Sequence, residues 1–365
     1  MSTADAPGPE AARGQRRSVV RANFKHEDRD WFRRRLSISF AQCMAYTVGV
    51  MPDPIRFWLA DRAGDVWHRA APTYRANVRS NLRHAMGPDI PDAAMDRYVR
   101  DVFRLNARNF TDLFKMPTWS SKRLLASITL GTHGWTPLER ALERGNGVVL
   151  VTAHLGAFDV VGHAVGSRGY PVTALTGRTT TRFIFDAVDY LRRGHNVTTT
   201  ESTPGGVRTV IKALRRNEIA GVLADFDFFR NGIPVQLFGQ ETTLPPGPVR
   251  FARETGAQVL GAFAQRTDRD YALHFTEAFD VPKTRDVDAD VESAIQRVAA
   301  LLEKAISAMP EQWVILQRVW PESPAPTVRI FPEGSPLESE FLKRVDELLP
   351  PRPGERHTTE KPAAN

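Results

Sequence analysis

The spacing of apolar positions changes near residue 125. Before that point they recur at helical intervals of three and four. Ile55, Trp58, Leu59, Ala63 and Val66 line up along a helix over 54–71, and 73–86 predicts a second. A third spans 91–115, with Pro91 at its start, where a missing backbone N–H costs nothing. The preceding stretch 36–51 is apolar with Ser, Gln and Thr interspersed, and Pro52-Asp53-Pro54 closes it. After residue 125, short aliphatic and β-branched runs alternate with helical segments. Strands are predicted at 124–130, 148–153, 172–175, 197–200, 219–224, 258–264 and 271–275. Helices are predicted at about 135–144, 158–168, 180–193, 207–217 and 247–255. This alternation predicts an α/β fold, a largely parallel central sheet flanked by helices, with a helical N-terminal region. A last helix over 288–309 repeats Val291, Ala294, Ile295, Val298, Leu301, Leu302, Ala305 and Ile306, so it buries one face. The stretch 232–248 is read as a long loop, a length that tends to carry function.

Composition changes this picture little. Of 365 residues, 42% are apolar and 25% charged, ordinary for a globular chain. The net charge of +7 favours anionic partners. The single cysteine, Cys43, excludes an intrachain disulfide and a multi-cysteine zinc site. Its apolar surroundings predict a packed, inert thiol. No signal peptide is evident at the N-terminus. The stretch 36–51 falls short of the roughly 20 residues that span a bilayer. With Trp31, Phe32, Arg33, Arg34 and Arg35 beside it, it fits either a helix lying in a membrane interface or a core helix. Arg75, Arg79 and Arg83 share one helix face, open to solvent or to phosphates.

Several chemistries are absent from the motifs. There is no Walker P-loop, because no glycine precedes a lysine; there is no G-x-S-x-G elbow and no H-E-x-x-H. Two strand ends carry candidate chemistry. The run Val148–Ala153 ends on His154, and Gly156 permits a tight turn before Asp159. Strand ends of α/β sheets are where ligand sites form. A histidine there has the pKa range to take a hydroxyl proton, and a carboxylate on its other nitrogen would fix the tautomer. Asp159 is the nearby candidate if the chain curls back; a structural histidine is the alternative. The second strand end, after Ile219–Ala224, carries Asp225-Phe226-Asp227. Its two carboxylates could bind a metal, hold a basic side chain, or cap the turn.

The ordered set of motifs resembles the lipid A late acyltransferase family and the related phosphatidylinositol mannoside acyltransferases, within the glycerolipid acyltransferase superfamily. The matching residues are His154-x4-Asp159, Arg178, Arg193-Gly194 and Ala224-Asp225-Phe226-Asp227. They continue with Val235-x-Leu237-Phe238-Gly239, Pro246-Gly247-Pro248, Ala252-Arg253-x-Thr255-Gly256-Ala257 and Met309-Pro310-Glu311-Gln312-Trp313. The resemblance implies transfer of a fatty acyl group from acyl-CoA or acyl carrier protein to a hydroxyl of a membrane glycolipid or phospholipid. It implies His154 as base, Asp159 supporting it or ordering the turn, and Asp225 in a relay or acceptor-binding role. Arg178 would face the oxyanion or a phosphate; Gly156, Arg193 and Asp227 join it as substrate-side positions, unless Asp227 only shapes the turn. No metal or other cofactor and no nucleic-acid partner is implied. The protein would sit peripherally on the cytoplasmic face of the plasma membrane, against an anionic surface. The expected organisation is a disordered tail over 1–20, a helical membrane-associating region over 21–120, a catalytic domain over 121–320 and an extension over 321–365 whose end is disordered. Two other classes fit parts of the pattern: a metal-dependent glycosyltransferase using Asp225 and Asp227, and a non-catalytic lipid-binding relative.

Overall fold

The computed structural model describes residues 31–320 except 88, 178–181 and 269. The readings made for 1–20, for 321–365 and for Arg178 fall outside these residues. Four helices come first: α1 (31–50), α2 (Asp53–Ala70), α3 (Pro72–Met86) and α4 (Asp92–Lys115). The alternating part follows as α5 (Ser121–Ala126), β1 (Ile128–Leu130), α6 (Thr136–Glu143), β2 (Val148–Thr152), α7 (Phe158–Ser167) and β3 (Val172–Thr176). It continues with α8 (Arg182–Arg192), β4 (Val197–Glu201), α9 (Pro204–Arg215), β5 (Ile219–Leu223), β6 (Ile233–Leu237) and β7 (Gln240–Leu244). The last elements are α10 (Gly247–Thr255), β8 (Gln258–Arg266), β9 (Tyr271–Phe275) and α11 (Val287–Ala308).

Seven strands form one sheet in the order β1-β9-β8-β2-β5-β3-β4. All its pairings are parallel except β8 with β9. β2 lies between β8 and β5 with all five residues buried, which is why it reads as an unbroken aliphatic run. Its side chains alternate between two cores. Val149 and Val151 pack with α9, α10 and α11; Val148 and Leu150 pack with α6 and α7.

Two sequence readings need correction. Residues 124–126 belong to α5, and only Ile128–Leu130 is strand. The short apolar run Leu124-Leu125-Ala126 fits either period, and the Ser120 hydroxyl decides it by capping the Arg123 N–H at 3.2 Å. The stretch 232–248 contains the antiparallel hairpin β6–β7. Its alternation is plain once seen: Ile233, Val235 and Leu237 are buried, while Pro234 and Gln236 are exposed. Phe238 and Gly239 turn it with φ of 51° and 71°, the left-handed pair that two-residue hairpins use.

The helical region forms a third core around Val78, Leu82, Met95, Val99 and Phe103, and Val314, which follows α11, joins it. α2 meets α4 backbone to backbone at Gly64, where a Cβ would lie 2.6 Å from Arg104 Cα. Asn77 and Asn81 donate to the carbonyls of Leu316 and Gln317, at 3.2 and 2.7 Å. These bonds tie 314–319 to the helices and so fix one wall of the site described below. Arg75, Arg79 and Arg83 are spent within the protein, on the His68 carbonyl, Asp96 and Asp92 respectively.

α1 packs one face against the protein and leaves apolar residues exposed on the other. Ala41 and Ala45 pack against Leu113, Ala187 and Leu191. The opposite face exposes Trp31, Phe32, Leu36, Phe40, Tyr46 and Val50. Cys43 lies on this outer face and is exposed, contrary to the packed thiol expected from its apolar neighbours. Among the described residues no helix is long and apolar enough to cross a membrane.

Candidate active site

The register of β2 on β5 builds the centre of the site. Thr152 pairs with Leu223, so two residues further on His154 and Asp225 leave adjacent strand ends at equivalent positions. Asp225 Oδ1 lies 2.9 Å from His154 Nδ1. Its Oδ2 accepts the His154 backbone N–H and the Trp313 indole N–H, both at 2.9 Å. Asp225 is fully buried, whereas the His154 side chain is 32% exposed. The carboxylate holds the proton on Nδ1 and leaves the lone pair on Nε2. The ring packs edge-on against Phe158 at 5.3 Å and lines an open cleft of about 730 Å³. Trp67, Asn106, Phe110, Arg192 and Gln317 form much of the remaining wall.

Burial disfavours the imidazolium, but the charge of Asp225 and its hydrogen bond outweigh burial and raise the His154 pKa above its usual value. Burial likewise opposes the Asp225 carboxylate. The His154 charge and the three donors overcome it and hold that pKa below the usual range.

Asp159 does not reach His154. Its Oδ1 accepts Arg192 Nε at 2.8 Å, and both residues line the cleft beside the histidine. The carboxylate expected on the ring from Asp159 is therefore supplied by Asp225. Asp159 instead orients an arginine, and its charge reaches His154 only through space. Arg193 faces away: it is mostly exposed and binds Asp189 one turn back. Its neighbour Arg192 lines the cleft.

Gly156 shapes the turn, and its backbone N–H and C=O are each hydrogen-bonded within the protein. Its φ is +58°, and a Cβ there would sit 2.1 Å from the Ala264 carbonyl oxygen. Its N–H donates to the Gln312 carbonyl, and its own carbonyl accepts Asn109 Nδ2, both at 2.8 Å. Asn109 is held in turn by Arg266 at 2.9 Å, and Arg266 pairs with the buried Asp112. The helical region thus braces the turn after His154 through side chains of α4. The Val314 N–H donates to the His154 carbonyl at 2.7 Å and secures the turn from the other side.

Asp227 also serves the backbone. Its Oδ2 accepts the Gly232 N–H at 2.7 Å and the Thr243 hydroxyl at 2.8 Å, closing the β5–β6 turn. Both Asp225 oxygens are committed to His154 and Trp313, so the two aspartates do not converge on a shared ligand. Among the described residues no group of three or more His, Cys, Asp or Glu is placed to hold a metal ion.

Trp313, Arg192 and Asn109 carry roles that spacing alone does not assign. Trp313 had a signal, the Met309–Trp313 motif, but its function needs the fold to bring it 88 residues back to Asp225.

Residues 29–322 match the family described as bacterial lipid A biosynthesis acyltransferase. A phosphatidylinositol mannoside acyltransferase of Mycobacterium tuberculosis (strain H37Rv) is 28% identical over 250 residues, covering 67% of this chain and 76% of the relative. The protein of the same name from Mycolicibacterium smegmatis is 26% identical over 249 residues, covering 67% and 78%. With the family match spanning most of the chain and the strand-end histidine set against a buried carboxylate, the chain belongs to the bacterial lipid A biosynthesis acyltransferase family and is an O-acyltransferase.

Proposed function

We propose that the protein moves a fatty acyl group from the thioester of acyl-CoA or acyl carrier protein to a hydroxyl of a membrane glycolipid or phospholipid, with His154 as general base. The observation that carries this reading is the pairing of His154 Nδ1 with a buried carboxylate while the ring faces an open cleft. The acceptor hydroxyl gives its proton to Nε2 as its oxygen attacks the thioester carbon. Asp225 stabilises the imidazolium so formed. Collapse of the tetrahedral intermediate breaks the C–S bond, and the imidazolium proton passes to the departing thiolate. One ester and one thiol result, with His154 neutral again. Arg192, held by Asp159, supplies positive charge at the cleft for the developing oxyanion or an acceptor phosphate. A largely apolar pocket adjoins Asp159 and Arg192 between α7 and the sheet, lined by Leu150, Val161, Val165, Val172 and Val197. It suits the acyl chain.

No metal or other cofactor enters this scheme. The test is formation of acylated lipid from a labelled long-chain acyl thioester and a glycolipid extract, with EDTA present. Ester formation unaffected by the chelator is the expected result. Loss in EDTA that Mn²⁺ or Mg²⁺ restores would move the chemistry to a metal-dependent reading.

The acceptor lies in a bilayer, so the cleft must work at its surface. Phe110 of the cleft wall is half exposed, and the exposed faces of α1 and α2 add Trp31, Phe32, Phe40, Trp58 and Val66. Arg34 and Arg35 are exposed on the first turns of α1. This suits peripheral attachment to an anionic leaflet, each arginine contributing on the order of 1 kcal/mol. Co-sedimentation with anionic liposomes should therefore fall with ionic strength. The combined variant Trp31→Ala, Phe32→Ala, Arg34→Gln, Arg35→Gln should bind roughly tenfold or more weakly while keeping turnover of a detergent-dispersed acceptor. These exposed positions are the right ones to change, because removing α1 entirely would strip the cover from Leu191. Undiminished liposome binding by the variant would remove this surface from consideration.

A further inference from the structure

We infer that a second cavity, between the starts of α9 and α10 and the β5–β6 loop, binds an amphiphile with a single anionic head. The cavity shares no lining residue with the His154 cleft. It meets the proposed acyl pocket only at Leu175, Thr176, Val222 and Leu223, on the ends of β3 and β5.

Arg250 supplies the cation. It lies on α10 and lines the cavity, and its Nε is shut off from solvent without a hydrogen-bond partner among the described residues. Burial lowers its pKa, and Asp288, at the start of α11, opposes that only through its charge. No hydrogen bond or ion pair to the Arg250 guanidinium is made among the described residues, and an anion in the cavity would offset its partial withdrawal from water by meeting the terminal nitrogens. Most of the rest of the wall is hydrocarbon and ring, with Phe226, Phe228, Phe229, Phe251 and Leu175, and its polar side chains are Thr176, Ser202, Thr203 and Asn231. Two of these four are already engaged: the Thr203 hydroxyl oxygen caps the Gly206 N–H, and the Thr176 hydroxyl donates to the Thr200 carbonyl. A nucleotide or a sugar would bring more donors and acceptors than this wall can satisfy. An aliphatic tail with one charged end matches it. Long-chain carboxylates and alkyl phosphates share that chemistry.

The test uses the full-length protein and cis-parinarate, a fluorescent long-chain carboxylate, displaced by dodecanoate, dodecyl phosphate or dodecanol below their micellar concentrations. Both anions should displace the probe at least about tenfold more effectively than the neutral alcohol, and whichever displaces better identifies the head group. Arg250→Gln should weaken probe binding about tenfold, the loss expected for one charge-assisted contact. Arg250→Lys should keep part of it, and guards against a folding defect in the first variant. Gly162→Leu fills the proposed acyl pocket on the α7 side, so the probe binding that remains in this variant is that of the second cavity and should still depend on Arg250. The inference fails if Arg250→Gln and Arg250→Lys both bind as the wild type does, or if dodecanol competes as well as the anions. It fails equally if Gly162→Leu abolishes binding that Arg250→Gln preserves, because the probe would then occupy the other pocket. Acyl transfer is not read in any arm, so the outcome is independent of the proposed reaction.

Discussion

Replacement of His154 by alanine is expected to lower turnover by about 10²- to 10⁴-fold, the usual contribution of a general base, while the protein stays folded. The fold should survive for a specific reason. Asp225 is buried, and an unpaired carboxylate there would be strongly destabilising. Two of its three donors do not depend on the imidazole: the backbone N–H of residue 154 and the Trp313 indole both bind Oδ2. The alanine variant keeps both. The ring itself is one-third exposed and touches Phe158 only by its edge, so its removal opens little core. The measurement is the rate of acylated lipid formation at saturating donor, with the thermal midpoint recorded beside it. Turnover near that of the wild type would end the assignment of His154 as base. A collapse in stability with proportionate loss of activity would make the histidine a structural residue.

The fold was legible where one physical cause dominated. The strands of the sheet centre are buried on both faces, so they appear as aliphatic runs; α4 and α11 each bury one face and show helical spacing. The hairpin β6–β7 was missed because Pro234 and the Pro-Gly-Pro at 246–248 read as loop residues. The proline is tolerated there because β6 pairs on only one side, with β7.

The site divides in the same way. His154 and Asp225 each stand at a recognisable strand end, but their partnership depends on the register of β2 with β5 across 71 residues. Local spacing offered Asp159 for the same task. The structure gives Asp159 to Arg192, because α7 starts at Phe158 and carries the carboxylate towards α8. The choice between Arg192 and Arg193 depends on the rotation of the last turn of α8, about 100° per residue. No motif of identities encodes that angle. Asn109 sits 47 residues from the turn it braces, so nothing local marks it.

Asp225→Asn is expected to cost about as much turnover as loss of the histidine, about 10²- to 10⁴-fold, through the tautomer. Oδ2 accepts two N–H groups, from His154 and Trp313, so the asparagine must keep its oxygen there. Its amide NH₂ then faces Nδ1, the position now held by Oδ1. An NH₂ group donates to Nδ1, which moves the ring proton to Nε2 and removes the lone pair from the cleft. The pH profile separates this from a merely structural loss. On the proposed mechanism the wild type needs neutral His154, so its activity should rise with pH through a midpoint above the usual 6.5, because Asp225 raises that pKa. In the variant that limb should shift to lower pH beneath a much reduced plateau. Stability gives a second sign. The raised His154 pKa contributes stability that is fully present below about 6.5 and lost as pH rises through the folded value. The lowered Asp225 pKa contributes stability present above about 3.8 and lost as pH falls through its folded value. The pair therefore stabilises most between those two limits. The variant's thermal midpoint should fall furthest from the wild type in that window, and the gap should narrow above the raised histidine pKa. A wild-type pH limb in Asp225→Asn, or a midpoint difference that does not vary with pH, would show that Asp225 does not act through His154.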